Sequence, residues 1–357
     1  MLALRLLWRI VKIVLSLVVG IAVVGVIWLL VLKTTNPKPV DSAGWELGLA
    51  MPEPRGESAS ALVDGQLIVI GGLRGTLGSV SADVSVLDLE SGSWKSGQGL
   101  QRGVHHAAAA AVDKDVYLSG GARSTTNWEP VDDVLRLRPG KGWDFVATMP
   151  EGRQGHAMVS IGDKLYIVGG VGTTDDTLIY DISDRLWTRG APLPGDRNHL
   201  RAIVRNGHVW ALGGRSGKPT GRVDVYYPED DEWKEGLPLP EPMSAMAVGV
   251  IDDDVHVVGS EDPSFLGGGV SSSHYVFRAK GSRWKQLARE PLGVHGAAYG
   301  VWDEALVVAG GAARNGALSV ISWTDATQLF TEDDAALPNE PADDPPPEDG
   351  GSELPGE

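Results

Sequence analysis

Seven arginines fall in two columns of a repeat, and arginine in register is a residue type that can do chemistry. Arg74, Arg123, Arg215 and Arg314 each follow a Gly-Gly pair within three residues. Arg55, Arg153 and Arg197 each stand 16 residues before the first glycine of such a pair. A guanidinium presents a planar fork of donors that matches carboxylate or phosphate in bidentate fashion. At the next position along the second column stand Gly56, His105, Gln154, Asn198, Ser244 and His295, a set that is polar in five of its six members. Two further segments break the repeat: 122–130 carries Trp128, and 261–273 is rich in Gly and Ser and carries Phe265. Aromatic side chains on loops make interface anchors. Other chemistry is absent from the pattern. There are no cysteines, so thiolate ligands and thiol nucleophiles are excluded. No nucleophile elbow, phosphate loop or zinc-helix motif occurs. His105 and His106 are adjacent, and on a strand they would point to opposite faces, so no metal site and no cofactor are expected. Asp252, Asp253 and Asp254 occupy a hairpin-turn position and read as a solvated turn.

The elements that position these residues repeat with a fixed half. Trp45, Trp94, Trp143, Trp187, Trp233 and Trp284 each precede by 26 residues a glycine at 71, 120, 169, 213, 259 or 310. In five copies a second glycine follows, and in the fifth Ser260 replaces it. The distance from one Trp to the next varies between 44 and 51 residues, so a rigid unit is joined by loops of changing length. Inside the unit, 59–63, Asp64-Gly65 and 67–70 read as a hairpin with a type I′ turn, and 203–204, Asn206-Gly207 and 209–212 repeat it. Runs such as 84–89 supply a third strand, and the Trp lies in a fourth. Four short strands in each of six repeats predict an all-β, six-bladed β-propeller.

The Gly-Gly pairs, the later Tyr180-Asp181 and the spaced tryptophans resemble the kelch repeat, over residues 45–330. The resemblance implies a propeller and leaves function open. It admits a binding scaffold, and it also admits a sugar-acid epimerase or mutarotase, which an Arg/His mouth would suit. The last repeat has no Trp at the expected distance after Gly311, so the segment at Trp45 is expected to close the last blade as its outermost strand; 327–330 is the alternative. With that closure the linker enters at the bottom of the disc, and the top face, built by the loops after the Gly pairs, points away from the membrane.

The chain ends differ from this domain. The apolar run from Ile13 to Leu32 contains no charge, and 20 helical residues span a bilayer core of roughly 30 Å. Arg5, Arg9 and Lys12 precede it and Lys33 and Lys38 follow, a bias that puts the N-terminus in the cytoplasm and the rest outside. Residues 1–33 are therefore expected to be a cytoplasmic stub and an uncleaved signal anchor, 34–44 a linker, 45–330 the propeller, and 331–357 an acidic, Pro-rich disordered tail. The formal net charge is −16 overall and −10 over 45–330, an acidic balance that argues against a nucleic-acid partner. The sequence thus predicts a single-pass, membrane-tethered scaffold outside the cytoplasm that binds a protein, glycan or acidic ligand through its top face.

Overall fold

Asp64 and Gly65 both take positive φ, 47° and 70°, and this turn folds Ala59–Val63 back onto Gln66–Ile70. The computed structural model describes residues 2–34, 36–75, 78–172, 174–262, 269–278 and 283–332. Val84–Asp88 and Ser93–Ser96 extend the hairpin into a four-stranded antiparallel sheet. The inner two strands are almost wholly buried, which explains their Ala, Val, Leu and Ile content. Five further sheets repeat this plan among the described residues, with inner strands Ala108–Val112, Ala157–Ile161, Arg201–Arg205, Ala247–Ile251 and Ala298–Trp302. Among the described residues the chain is all-β apart from its N-terminal helix and one short turn of 3₁₀ helix, Gly316–Ile321.

The last sheet joins both ends of the domain. Trp45–Leu47 pairs with Thr327–Thr331, which pairs with Ala305–Ala309 and then Ala298–Trp302. The Trp45 segment is the outermost strand, as expected, and the segment from Thr327 is the third strand of the same sheet. Adjacent inner strands touch all the way round, and Ala298–Trp302 touches Ala59–Val63 to complete the circuit. A ring of backbone bonds fixes it. The amides of His106, Gly155, His199, Ala245, Gly296 and Glu57 donate to the carbonyls of Glu57, His106, Gly155, His199, Ala245 and Gly296 respectively, at 2.7–3.0 Å.

The repeated residues hold neighbouring sheets together. A Cβ on Gly71 would lie 2.3 Å from the Val104 carbonyl oxygen, so only glycine lets the two backbones approach. The indoles of Trp94, Trp143, Trp233, Trp284 and Trp45 donate to the carbonyls of Leu49, Gln98, Ala191, Leu237 and Ala288, each on the preceding sheet's outer edge. Apolar clusters fill the spaces between sheets; one contains Trp45, Phe330, Leu306 and Val258.

The N-terminal helix, Leu2–Thr34, holds an apolar stretch, Trp8–Trp28, long enough to cross a membrane and not buried by the rest of the chain. The path of the linker departs from expectation. It does enter its strand at the bottom, where Trp45 lies opposite Phe330. Before that it descends the outer edge of the last sheet from the top face. The Asn36 side-chain amide donates to the Ile321 carbonyl at 3.0 Å, and Val40 N–H donates to the Pro291 carbonyl at 3.0 Å. The end of the helix therefore adjoins the top-face turn Gly316–Ile321 and does not lie below the disc. Polar caps on that loop hold the linker in place, a long-range contact that strand spacing does not encode. Residues 333–357 lie outside the described residues, and with them nearly all of the expected disordered tail.

Candidate functional site: the mouth of the ring

Fourteen residues before each repeated glycine, just ahead of the inner strand, the backbone turns left-handed. Glu57, His106, Gly155, His199, Ala245 and Gly296 have φ of 53°, 55°, 60°, 54°, 54° and 61°. These are the residues of the backbone ring, so their side chains are set around its mouth. Two of them are glycines, and their missing side chains make room. A Cβ on Gly296 would lie 2.4 Å from Glu57 Oε1, and one on Gly155 would lie 3.1 Å from His199 Nδ1.

A connected polar chain crosses this mouth. Arg215 pairs with Glu261 Oε1, and Glu261 Oε2 lies 3.4 Å from His295 Nδ1. His295 Nδ1 is also 3.4 Å from Glu57 Oε1, and Glu57 Oε2 is 3.4 Å from His106 Nε2. His106 Nδ1 meets His105 Nδ1 at 2.6 Å, and His105 Nε2 donates to the Ser124 carbonyl at 3.1 Å. The His199 ring stands 5.0 Å from that of His106, edge to face. Glu57, Glu261, His105, His106 and His295 are all buried. Trp128 covers the cluster from above, its ring 5.0 Å from both His105 and His106, while 47% of its surface stays exposed. Its loop is pinned where the Gln154 amide donates to the Trp128 carbonyl at 2.6 Å.

Burial and charge sort the protonation states. Burial pushes His106 down to about 4 against the pull of Glu57, and it holds His199 well below the usual histidine range. Burial also lowers His105. For Glu57, burial favours the neutral acid, but His106, the hydrogen bond from His295, and His199 outweigh it and keep the carboxyl ionised. His295 runs the other way: burial lowers it, yet Glu261 and Glu57 raise it above its ordinary value. Neutral imidazoles thus stand beside a carboxylate whose other side faces His295, the one histidine of the group that the acids raise above its ordinary value. Below the mouth the centre of the ring narrows to a cavity of about 30 Å³ lined by small residues, His156, Arg201 and Tyr299, too small for more than a water. A ligand therefore meets this cluster from the top face.

Two segments match models described as Kelch motif, residues 54–101 and residues 152–194. The chain carries kelch motifs. Its relatives include the Kelch-like protein terF of Aspergillus terreus, 26% identical over 169 residues, which are 42% of this chain and 37% of that protein. Kelch-like protein 35 of Mus musculus is 30% identical over 103 residues, 28% of this chain and 17% of that one. Beta-scruin of Limulus polyphemus is 37% identical over 82 residues, 22% and 9% of the two chains. The kelch chain thus spans well under half the length of these relatives. Among solved structures, one titled "Structure of YjhT" superposes with a TM-score of 0.69 at 16% identity, covering 80% of this chain and 97% of that one, a likeness of fold.

The kelch repeat explains where the predicted residues went. The column of Arg55, Arg153 and Arg197 is framework, contrary to expectation. All three are buried. Arg55 donates to the carbonyls of Asp83 and Val69, Arg153 pairs with Glu151 and donates to the carbonyls of Gly169, Thr174 and Asp176, and Arg197 pairs with Asp224 at 2.5 Å. A buried guanidinium needs local partners for its donors, and the blade's own backbone and acids supply them for Arg153 and in part for Arg55 and Arg197. The second column divides. Arg74 pairs with Glu53 and with Asp83 at 2.5 Å, and Arg123 pairs with Asp133, so both are spent on acids near the rim. Arg314 donates to the Asn36 side chain at 3.0 Å and anchors the linker. Only Arg215 of this column joins the central chain. His105, His295 and Trp128 converge on the mouth. Phe265 lies outside the described residues.

His105 and His106 do not point to opposite faces. The left-handed turn at His106 ends the extended backbone there, so the two rings meet. Glu57, His106, His199 and Glu261 were not among the predicted site residues. The first three form their own column, one residue beyond the polar one that drew attention. Its signature was present in Gly155 and Gly296, which mark a position needing positive φ.

Proposed function

We propose that the chain is a six-bladed kelch propeller, tethered by a single membrane-spanning N-terminal helix outside the cytoplasm, that recognises a protein, glycan or acidic ligand at the mouth of its top face. The observation that carries this reading is the convergence of Arg215, His295, Glu57, His106 and His105 beneath a half-exposed Trp128. Buried polar groups of both signs, opening to solvent only past an aromatic edge, suit an acidic or hydroxyl-rich group held by hydrogen bonds and capped by an indole. The domain boundaries proposed are 34–44 for the linker and 45–330 for the propeller. Arg5, Arg9 and Lys12 before the helix support a cytoplasmic N-terminus.

The test compares Trp128→Ala and Arg215→Gln with the unmodified chain in pull-downs from the outer-surface proteome and on a glycan array. Trp128→Ala touches only the roof of the mouth, so its melting temperature is expected to stay unchanged while binding falls at least tenfold. Unchanged binding by both variants would remove the mouth from the recognition surface. A second reading, isomerisation of an acidic sugar, is supported by one pairing: neutral His106 beside ionised Glu57 offers a base and a charge partner to a bound sugar. Exchange spectroscopy on a uronic acid, with and without the chain, tests it; equal anomer exchange rates would end that reading.

A further inference from the structure

Glu57, His106 and His199 each offer one ligand atom, and those atoms all lie within 4.8 Å of one another in a largely buried group. We infer that this triad at the mouth of the ring is a binding site for a divalent transition-metal ion of the zinc class. The proposal concerns the chain by itself and is independent of any partner.

The hydrogen bonds around the triad fix which ring nitrogens carry protons. His105 Nε2 can only donate to the Ser124 carbonyl, so a neutral His105 keeps its lone pair on Nδ1. The 2.6 Å contact to His106 then needs its proton on His106 Nδ1. That leaves His106 Nε2 with a bare lone pair aimed at the Glu57 carboxylate, 3.4 Å away. Two acceptors face each other with no hydrogen between them, and a cation resolves the conflict. The same logic holds at His199. Its Nδ1 donates to the Asn198 side-chain oxygen at 2.6 Å, which leaves Nε2 to ligate. A ligating histidine characteristically donates its other N–H to a neighbouring acceptor, and a ligating carboxylate is held by a further donor. Here His105, Asn198 and His295 are those partners.

For the His106–Glu57 pair, distance and chemistry agree. Two ligands on a tetrahedral zinc about 2.0–2.1 Å away stand about 3.3–3.4 Å apart, the spacing already present between His106 and Glu57. Two imidazoles and a carboxylate suit zinc, cobalt or nickel, with open positions left for water or a ligand.

The backbone supplies an independent argument. All three residues hold φ of 53–55°, a conformation that costs a residue with a side chain and that glycine takes freely. Gly155 and Gly296 occupy the equivalent places. Ala245 holds the same conformation without a functional group, so the turn belongs to the ring. What needs explaining is that its strained places carry Glu, His and His, and Gly155 between the two histidine blades leaves their rings free to meet.

The experiment uses the full chain in detergent, stripped with chelator, and titrated with zinc chloride by calorimetry and with cobalt chloride by visible absorption. One equivalent of zinc and a cobalt d–d band are expected. The decisive variant is H106G/H199G, because glycine relieves the backbone at both places and its melting temperature should not fall. Its zinc affinity is expected to drop at least 100-fold, while His208→Ala, beside the hairpin turn at 206–207 and away from the mouth, binds as the unmodified chain does. Should the double variant melt early, Glu57→Gln keeps the shape and removes the charge, and it too should lose at least tenfold in affinity. Absence of zinc heat and of a cobalt band in the unmodified chain would overturn the site, since a shared proton would then bridge His106 and Glu57. Undiminished affinity in H106G/H199G or in Glu57→Gln would overturn it as well.

Discussion

At the residue scale the molecule is governed by what a left-handed turn permits. Gly296 has φ 61°, and its missing Cβ leaves the space that Glu57 Oε1 fills on its way to His295. Gly296→Ala should therefore cost about 1–3 kcal/mol, from the backbone and from displacement of a buried, paired carboxylate. Ala245→Gly relieves the same turn elsewhere and should leave stability within about 1 kcal/mol of the original. Chemical denaturation of the two variants checks this; a Gly296→Ala chain as stable as Ala245→Gly would show that the space beside Glu57 is not needed. This scale was the least legible in the sequence. Side-chain type at fixed spacing located the mouth to within one residue, because His105 and His295 do reach it. Spacing could not show that the chain turns left-handed one residue later, and that turn decides that His106 faces inward. The arginines at 55, 153 and 197 misled for a related reason. A repeated cation looks alike in a column whether its blade consumes it or presents it, and only the positions of Asp224, Glu151 and the backbone carbonyls settle which.

At the element scale the spacing of Trp and Gly was readable because both act locally and identically in each repeat. The 26-residue interval is one outer strand, the crossing to the next sheet and one inner hairpin, all of nearly constant length. The closing sheet follows from the same rule, since the unpaired Trp45 has to belong to the last sheet. Its seam has an acid-sensitive side. Trp45 and Phe330 pack against His274, and His274 Nε2 meets His256 Nδ1 at 2.9 Å, with both histidines buried. Burial holds His256 down to about 4 against the pull of Glu332 and Asp254, with Arg278 adding to the lowering, and burial together with His256 lowers His274 as well. Below the ordinary histidine value of about 6.5 the unfolded chain takes up protons that the folded chain refuses until about pH 4. Stability from this pair is therefore complete above pH 6.5 and falls as pH drops toward 4, by an amount on the order of 3 kcal/mol for His256. Other buried histidines such as His156 share the trend, and His295 opposes it, so the comparison has to be with His256→Gln. The variant's melting temperature should fall less steeply between pH 6.5 and 4 than that of the unmodified chain. Parallel curves would acquit the seam.

At the scale of the whole molecule the linker decides what the mouth can meet. Strand order alone suggested a disc whose working face looks away from the bilayer. The contacts of Asn36 with Ile321 and Arg314 bring the end of the helix to the rim of that face instead. Asn36 stands two positions beyond Thr34, a reach of about 7 Å when extended. If the helix spans a membrane, the bilayer surface then lies beside the mouth, and the ligand is met close to the headgroups. The absence of cysteine in the chain makes this measurable with single labels. Asn127→Cys carries a fluorophore on the exposed loop beside Trp128, and Lys114→Cys carries one in the bottom hairpin turn, where Lys114 is exposed. In vesicles containing a headgroup-attached quencher, emission from position 127 should be quenched several-fold more than emission from position 114. Asn36→Ala with Arg314→Ala removes the side-chain bonds on the rim and should reduce that difference, because the linker is then free to swing from the edge of the last sheet. Stronger quenching at position 114 than at 127 would restore the inverted arrangement, with the mouth turned to the aqueous side and the rim contacts holding only the linker.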